Sequence, residues 1–370
     1  MKLAVIKIGF RINENQNGSA DGEVYSIVKL LSHMNEVHCY TQIKDDDKVI
    51  NIPNVYTHDI FEYKNNSSFD ALIVINGGLW FNNIDEYQIE NLKLINSFKG
   101  KIFYFLCDPM LIPKQYYNDV LKEYDFGKLN KKYSIDEINI TRDDIVFITQ
   151  QYDLDSTKES LKKENILFKD VIHFPFYKFP LYNNNRLDKN LKKEVDLIYG
   201  GSFRYDNRTE KFIKFYFGIT KDISVELFGH NNLSYFDGDK INGLRVPKFS
   251  EQVKYNQFLN KMSTSLSTVC IGDKSYEGKN LTQRIYESIL SNCITFIDED
   301  FDSYHLVYGL NNNLSDFLYV NNRDDLINKI RLIKRDRELF DTTIDMQYEC
   351  VKIDKNKYAK DLNNILRNNL

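Results

Sequence analysis

The sequence predicts an α/β protein made of two consecutive doubly wound, Rossmann-like units. Three observations carry that expectation. Short, continuously apolar runs recur along the chain and suit strands buried on both faces of a parallel sheet. Helical apolar patterns fall between them. The alternation then restarts after a polar stretch, LYNNNRLDKNLKKE at 181–194, which offers little to bury and reads as a linker. A length of 370 residues supports the same division, because one hydrophobic core rarely grows that large.

The first strand is KLAVIKI, residues 2–8. A polar loop leads to a helix from about Glu23, with Val24, Ile27, Val28 and Leu31 on one face. Further strands are expected at 37–40, 71–75, 101–106 and 145–149. After the polar stretch the strand-like runs are 195–199, 224–228, 268–271 and 294–297. Helical patterns near 208–217, 250–262 and 282–291 separate them, and a last helix covers about 355–366. In such folds ligands gather at the carboxyl ends of the strands, and here also in the cleft between the units.

Composition narrows the class of protein. Hydrophobic residues at 42% and charged residues at 28% are the balance of a soluble globular chain. No apolar run approaches the ~20 residues that cross a bilayer. The opening MKLAVIKIGF lacks a signal peptide's apolar core, so a cytoplasmic location is expected. Cys39, Cys107, Cys270, Cys293 and Cys350 are scattered without a CxxC pair, and the six histidines show no HExxH spacing. Neither a disulfide framework nor an intrinsic metal cage is expected. A net charge of -4 excludes non-specific coating of nucleic acid but leaves room for a local basic cleft.

The strongest local signal is DLIYGGSFRYDNR at 196–208. A buried strand runs into Gly200-Gly201-Ser202 and then a helix. Glycines allow backbone to approach a phosphate, and the following amides and the Ser202 hydroxyl are donors. Arg204 and Arg208, four apart at a helix start, project to one side as a diphosphate clamp. The competing reading is a tight turn with arginines paired to Asp206 or Glu210. The second signal is IGDKSYEGKNLTQRIYE at 271–287, where Arg284 and Glu287 share a helical face. They suit a phosphate and the ribose hydroxyls respectively, or else form an i,i+3 ion pair on a solvated face.

Taken in order, IYGGSFR with a further arginine, VELFGH, IGDKSY, the Arg284/Glu287 pair, FIDEDFD and YVNNRDDLI resemble the DNA β-glucosyltransferase family of T-even phages. MKLAVIKIG, DALIVIN and IFYFLCDPMLIP extend the resemblance to the front of the chain. It implies two Rossmann-like domains facing a cleft, the GT-B type of glycosyltransferase. Residues 1–178 would bind acceptor DNA and residues 179–350 the UDP-sugar, with a C-terminal helix at 351–370 packing back on the first domain. Gly201, Ser202, Arg204, Arg208, Tyr276 and Arg284 would surround the diphosphate, with Gly229 and Asp273 in neighbouring donor-side loops. Glu287 would bind the ribose, and Val246, before Pro247, would present backbone groups to the uracil.

On the acceptor side, Asp108 follows the strand KIFYFLC and precedes Pro109. The resemblance makes it the general base of a single inverting displacement, and Glu23 an acid near the sugar. The plain alternatives are a turn cap at Asp108 and a helix N-terminal charge at Glu23. The loop NGGLWFNN places Asn76, Gly77, Gly78, Trp80 and Phe81 after a strand. It is the candidate to face DNA and fill the gap left by an extruded base, or else Trp80 and Phe81 pack under the next helix.

The family departs from this chain in the order of residues in that loop. The acidic run IDED at 297–300 invites a metal-site reading, but strand-end acids are usually solvated. By resemblance a Mg2+ or Mn2+ ion binds through the diphosphate rather than a protein cage.

The expected partners are UDP-glucose and double-stranded DNA carrying a hydroxymethylated pyrimidine, first 5-hydroxymethylcytosine, in an infected bacterial cell. No membrane partner is expected, and the chain is expected to act as a monomer. Another UDP-sugar, a glycosylated or hydroxymethyluracil acceptor, a non-DNA acceptor and a non-catalytic binder are the alternatives.

Overall fold

In the computed structural model the chain divides into two compact units, Met1–Phe176 with Asp354–Leu370, and Tyr177–Ile353. The structure describes residues 1–8, 19–41, 52–63, 68–76, 86–106, 140–163, 166–201, 205–229, 240–241, 243–247, 249–250, 253, 255–272, 276–310 and 312–370.

The first unit is a seven-stranded sheet of β1 (Lys2–Ile8), β2 (Glu36–Thr41), β3 (Val55–Asp59), β4 (Ala71–Asn76), β5 (Lys101–Leu106), β6 (Val146–Thr149) and β7 (Asp170–His173). Its order is β3-β2-β1-β4-β5-β6-β7, and every pairing is parallel. One face, carrying Ala4, Ile6, Leu72, Val74, Ile102 and Tyr104, packs on α2 (Glu86–Ser97) and α3 (Leu154–Lys163) through Leu92, Ile95 and Leu161. Helix α1 (Ser19–Ser32) buries Val24, Ile27, Val28 and Leu31, the expected stripe. It begins ahead of Glu23, which is therefore inside the helix and not its first residue.

The second unit is a six-stranded parallel sheet in the order β12-β9-β8-β13-β14-β15. The strands are β8 (Val195–Gly200), β9 (Val225–Phe228), β12 (Phe249–Ser250), β13 (Ser265–Cys270), β14 (Ile294–Asp298) and β15 (Tyr319–Val320). A separate hairpin joins β10 (Lys240–Ile241) and β11 (Leu244–Arg245). The helices are α4 (Phe179–Asn183), α5 (Tyr205–Phe215), α6 (Tyr255–Ser263), α7 (Gln283–Leu290), α8 (Asn313–Leu318), α9 (Arg323–Arg335) and α10 (Arg337–Val351). Its core gathers Phe212, Phe215, Tyr216, Ile285, Ile289, Phe296 and Phe301. The helix expected from 250 starts at Tyr255, because Phe249 and Ser250 are drawn into the sheet beside β9.

The polar stretch 181–194 is not a free linker. Arg186 Nε donates to Asn292 Oδ1 at 2.6 Å, and Arg186 Nη2 pairs with Asp345 at 2.7 Å. Lys193 Nζ donates to the carbonyls of Ser263 and Asn292 at 2.7 and 2.9 Å. Long charged stems lie along the protein while their heads satisfy buried carbonyls, so polar composition alone misreads the segment.

The last helix, α11 (Lys355–Asn368), belongs to the first unit and packs on α1. Asp354 caps it by accepting from the amides of Asn356 and Lys357. It buries Tyr358, Ala359, Leu362 and Leu366, and the Tyr358 hydroxyl donates to Pro175 O at 2.7 Å. Among the described residues no helix is long and apolar enough to cross a membrane. Cys39, Cys270 and Cys293 are buried free thiols. Burial pushes the Cys293 thiol up to about 12.

Candidate functional site

The second sheet winds in opposite directions from β8 and β13, which lie side by side. A doubly wound sheet binds its ligand at the carboxyl ends beside such a switch point. Both of the signals read from the sequence start there. Strand β8 runs into Gly200 and Gly201, and β13 runs into Ile271 and Gly272.

The glycines at the bend are demanded by close packing. The Gly201 amide donates to Phe228 O at 3.0 Å, which holds the bend against the end of β9. Gly229 follows with φ +138°, and a Cβ placed on it would stand 2.1 Å from Gly201 O. A Cβ on Gly200 would meet Phe258 at 2.4 Å and Phe228 at 2.6 Å. Only bare backbone fits, and bare backbone is what a phosphate can approach closely.

Arg208, on α5, turns back over this bend. Its Nη1 donates to the Tyr199 hydroxyl at 3.0 Å, and that hydroxyl lies 3.0 Å from where a Cβ of Gly201 would be. The guanidinium is thereby held beside the double glycine.

Arg284 and Glu287 lie on α7. The pair is real, with Nε to Oε2 at 3.5 Å, but its face is not solvated, since the Glu287 side chain is only 8% exposed. The Arg284 guanidinium lies 3.8 Å from the centre of the Phe258 ring. Tyr255, three residues before Phe258 on α6, donates its hydroxyl to Glu287 and accepts from the Asn184 side chain. Burial, and then the charge of Glu287, hold that phenol far above its ordinary range.

The acidic run at 297–300 has a different role from a metal cage. Lys211 of α5 reaches Asp298 at 2.6 Å, Asp300 at 2.9 Å and Glu277 at 2.9 Å. Lys214 reaches Asp298 at 2.8 Å and Asp300 at 3.0 Å. Three carboxylates are thus committed to two ammonium groups. Among the described residues no cluster of three or more histidine, cysteine, aspartate or glutamate side chains suits a metal ion.

Tyr276 and Val246 are half-buried and pack against the core of the same unit. The Tyr276 carbonyl accepts from the amides of Lys279 and Asn280, both at 3.0 Å, which turns the chain after the second signal. Ser202, Arg204 and Asp273 lie outside the described residues, as do Gly77, Gly78, Trp80, Phe81 and Asp108. Glu23 lies in α1 and Asn76 ends β4, and their side chains are likewise outside the description. In the first sheet Ile8, Asn76 and Leu106 stand in register at the carboxyl ends of β1, β4 and β5. Strands β1 and β4 flank this sheet's own switch point, and β5 lies beside β4.

Sequence reasoning missed Tyr199, Lys211, Tyr255 and Phe258. The first sits directly before the double glycine, and Lys211 is three residues after Arg208 on the same helix. Tyr255 and Phe258 belong to a helix remote in sequence from both signals, and only the fold brings them in.

No protein-family model matches the chain. The DNA β-glucosyltransferase of Enterobacteria phage T4 is 29% identical over 365 residues, 97% of each chain. A crystal structure of the T4 phage enzyme with its substrate UDP-glucose superposes with a TM-score of 0.79 at 25% identity, covering 99% of both chains. The T4 enzyme in complex with UDP and Mn2+ matches with the same TM-score of 0.79, identity of 25% and coverage of 99%. Two doubly wound parallel sheets that match these structures end to end define a glycosyltransferase of the GT-B fold, as the sequence predicts. Within that class the chain is similar over nearly its whole length to the DNA β-glucosyltransferase of phage T4, and the resemblance drawn from its motifs is borne out.

Proposed function

We propose that this protein transfers glucose from UDP-glucose to the hydroxymethyl group of 5-hydroxymethylcytosine in double-stranded DNA. The observation that carries the reading is the switch point of the second sheet. There the glycine bend with Arg208, and the Arg284–Glu287 pair, come from two segments distant in sequence. The full-length similarity to the T4 enzyme, which is described with UDP-glucose, supports the choice of donor and of DNA as acceptor.

In this reading Gly201, Ser202, Arg204, Arg208, Tyr276 and Arg284 grip the diphosphate, with Gly229 and Asp273 beside them. Glu287 accepts from the ribose hydroxyls, and Val246 offers backbone groups to the uracil. Asp108 takes the proton of the acceptor hydroxyl as its oxygen attacks the anomeric carbon. The bond from that carbon to the diphosphate oxygen breaks, its electron pair leaves with UDP, and the configuration inverts. Arginines stabilise the charge that collects on the leaving group. Glu23 stands near the sugar.

The segment Asn76, Gly77, Gly78, Trp80 and Phe81 faces DNA, since a base must leave the stack before its substituent can be reached. A Mg2+ or Mn2+ ion, when bound, neutralises diphosphate charge through phosphate oxygens. The enzyme works as a monomer in the cytoplasm of the infected cell.

Incubation with a panel of UDP-sugars and duplexes carrying cytosine, 5-hydroxymethylcytosine or 5-hydroxymethyluracil tests this directly. Mass spectrometry of digested nucleosides is expected to show a hexose on 5-hydroxymethylcytosine, supplied by UDP-glucose alone. Transfer to a different base or from a different donor replaces the specific reading, and transfer to none removes it.

A further inference from the structure

The Phe258 ring lies between the two halves of the donor site. On one side its edge stands 2.4 Å from where a Cβ of Gly200 would be, so it seats the glycine bend. On the other, the Arg284 guanidinium rests 3.8 Å from the ring centre. The ring is 5% exposed and packs against Phe228 at 5.6 Å between centroids, so its plane is fixed by the core. Tyr255 stands beside it, the two rings stacked 6.4 Å apart, and its hydroxyl donates to Glu287. The Asn184 side chain hydrogen-bonds the same hydroxyl.

We infer that α6 is a positioning element of the donor site, in which Tyr255 sets the preference for ribose over 2′-deoxyribose and Phe258 sets the reach of Arg284 toward the diphosphate. The inference rests on the reading of Glu287 and Arg284 as donor ligands. A carboxylate that already accepts one fixed hydrogen bond keeps its remaining lone pairs in a fixed direction. Paired hydroxyls, both donors, then meet a preorganised acceptor. A guanidinium held over the face of a buried ring is kept to one side of it, where its N–H groups point outward along their fork. Each contact acts on a different part of the nucleotide, so their losses separate.

The experiment is calorimetric titration of UDP and 2′-deoxy-UDP into the full chain and three variants. Tyr255→Phe keeps the ring and removes only the hydroxyl. It is expected to weaken UDP about fivefold while leaving 2′-deoxy-UDP nearly unchanged, so the preference for ribose shrinks. Phe258→Leu is expected to weaken both nucleotides in parallel, by about five- to tenfold. A wild-type preference retained by Tyr255→Phe overturns the role of Tyr255, and unchanged affinities in Phe258→Leu overturn that of Phe258. Glu287→Gln separates the levels. If it abolishes the preference while Tyr255→Phe does not, only the positioning role fails. If it leaves UDP affinity untouched, the donor reading and this inference fall together.

Discussion

Lys211 stands 2.6 Å from the fully buried Asp298 and 2.9 Å from Glu277, so one ammonium ties α5 to the end of β14 and to the turn beyond β13. Those are the elements that flank the glycine bend and the Arg284 helix. The bridge is largely withdrawn from water, with the Lys211 side chain 11% exposed. Removing one partner of a buried pair strands the other charge, at about 3–5 kcal/mol.

Asp298→Ala is therefore expected to destabilise the protein by about 3 kcal/mol, read from urea unfolding. Lys214→Met is expected to cost well under half of that, because Lys211 still faces Asp298 and Lys214 is itself 25% exposed. Equal losses in the two variants would show that Lys211 is not the principal counter-ion.

The same cluster gives a pH signature. Hydrogen bonds from Lys211 and Lys214 hold the Asp300 carboxyl below its ordinary range. A depressed carboxyl contributes stability above its unfolded value, near ~4, and loses it as pH falls through the folded value. With 60% of the side chain exposed, screening limits the contribution to below about 1 kcal/mol. Asp300→Asn is expected to be slightly less stable than the wild type at pH 7, with the gap closing in acid as pH falls through the folded value. Urea midpoints at pH 7 and in acid check this, and a gap that persists in acid contradicts it.

Gly229→Ala places a methyl group 2.1 Å from Gly201 O at a φ of +138°. Gly243→Ala is the control, since its φ is +78° and nothing lies within 4 Å of the added carbon. The control is expected to lose about 1 kcal/mol from backbone strain alone. Gly229→Ala is expected to lose at least ~2 kcal/mol and to weaken UDP binding, because the bend must move. Thermal unfolding with and without UDP distinguishes the two, and comparable behaviour would mean that the bend yields freely.

Asp108→Ala is expected to bind UDP-glucose with wild-type affinity and to transfer glucose about 10²–10⁴-fold more slowly. Single-turnover transfer to a 5-hydroxymethylcytosine duplex measures it. Turnover near the wild-type rate would take the proton-accepting role away from Asp108.

The central strands were legible because each is apolar on both faces, as in ALIVI at 71–75 and KIFYFL at 101–106. The strands left unread are of another kind. β3 reads VYTHD and β7 reads DVIH, edge strands with mixed patterns, and β12 and β15 are two residues each. Their strand character comes from a neighbour rather than from their own residues.

The site divides in the same way. A double glycine after a buried strand and an Arg-x-x-Glu spacing are local and can be read off the chain. That Phe258 underlies Arg284, or that Lys211 meets Asp298, depends on which strands lie together. The polar stretch at 181–194 misled for a related reason, because Arg186 and Lys193 spend their charges on carbonyl and amide groups of Asn292.

Helix α11 has a consequence for how the molecule is made. Its apolar stripe of Tyr358, Ala359, Leu362 and Leu366 completes the layer beside α1, yet it leaves the ribosome after the whole of Tyr177–Ile353. The contiguous middle of the polypeptide can consolidate during translation, while the portion synthesised earliest waits, one helix short, for its final cover. The part born first is finished last, and a premature stop near residue 353 would spare the later-made module while leaving the earlier one open to chaperones and proteases.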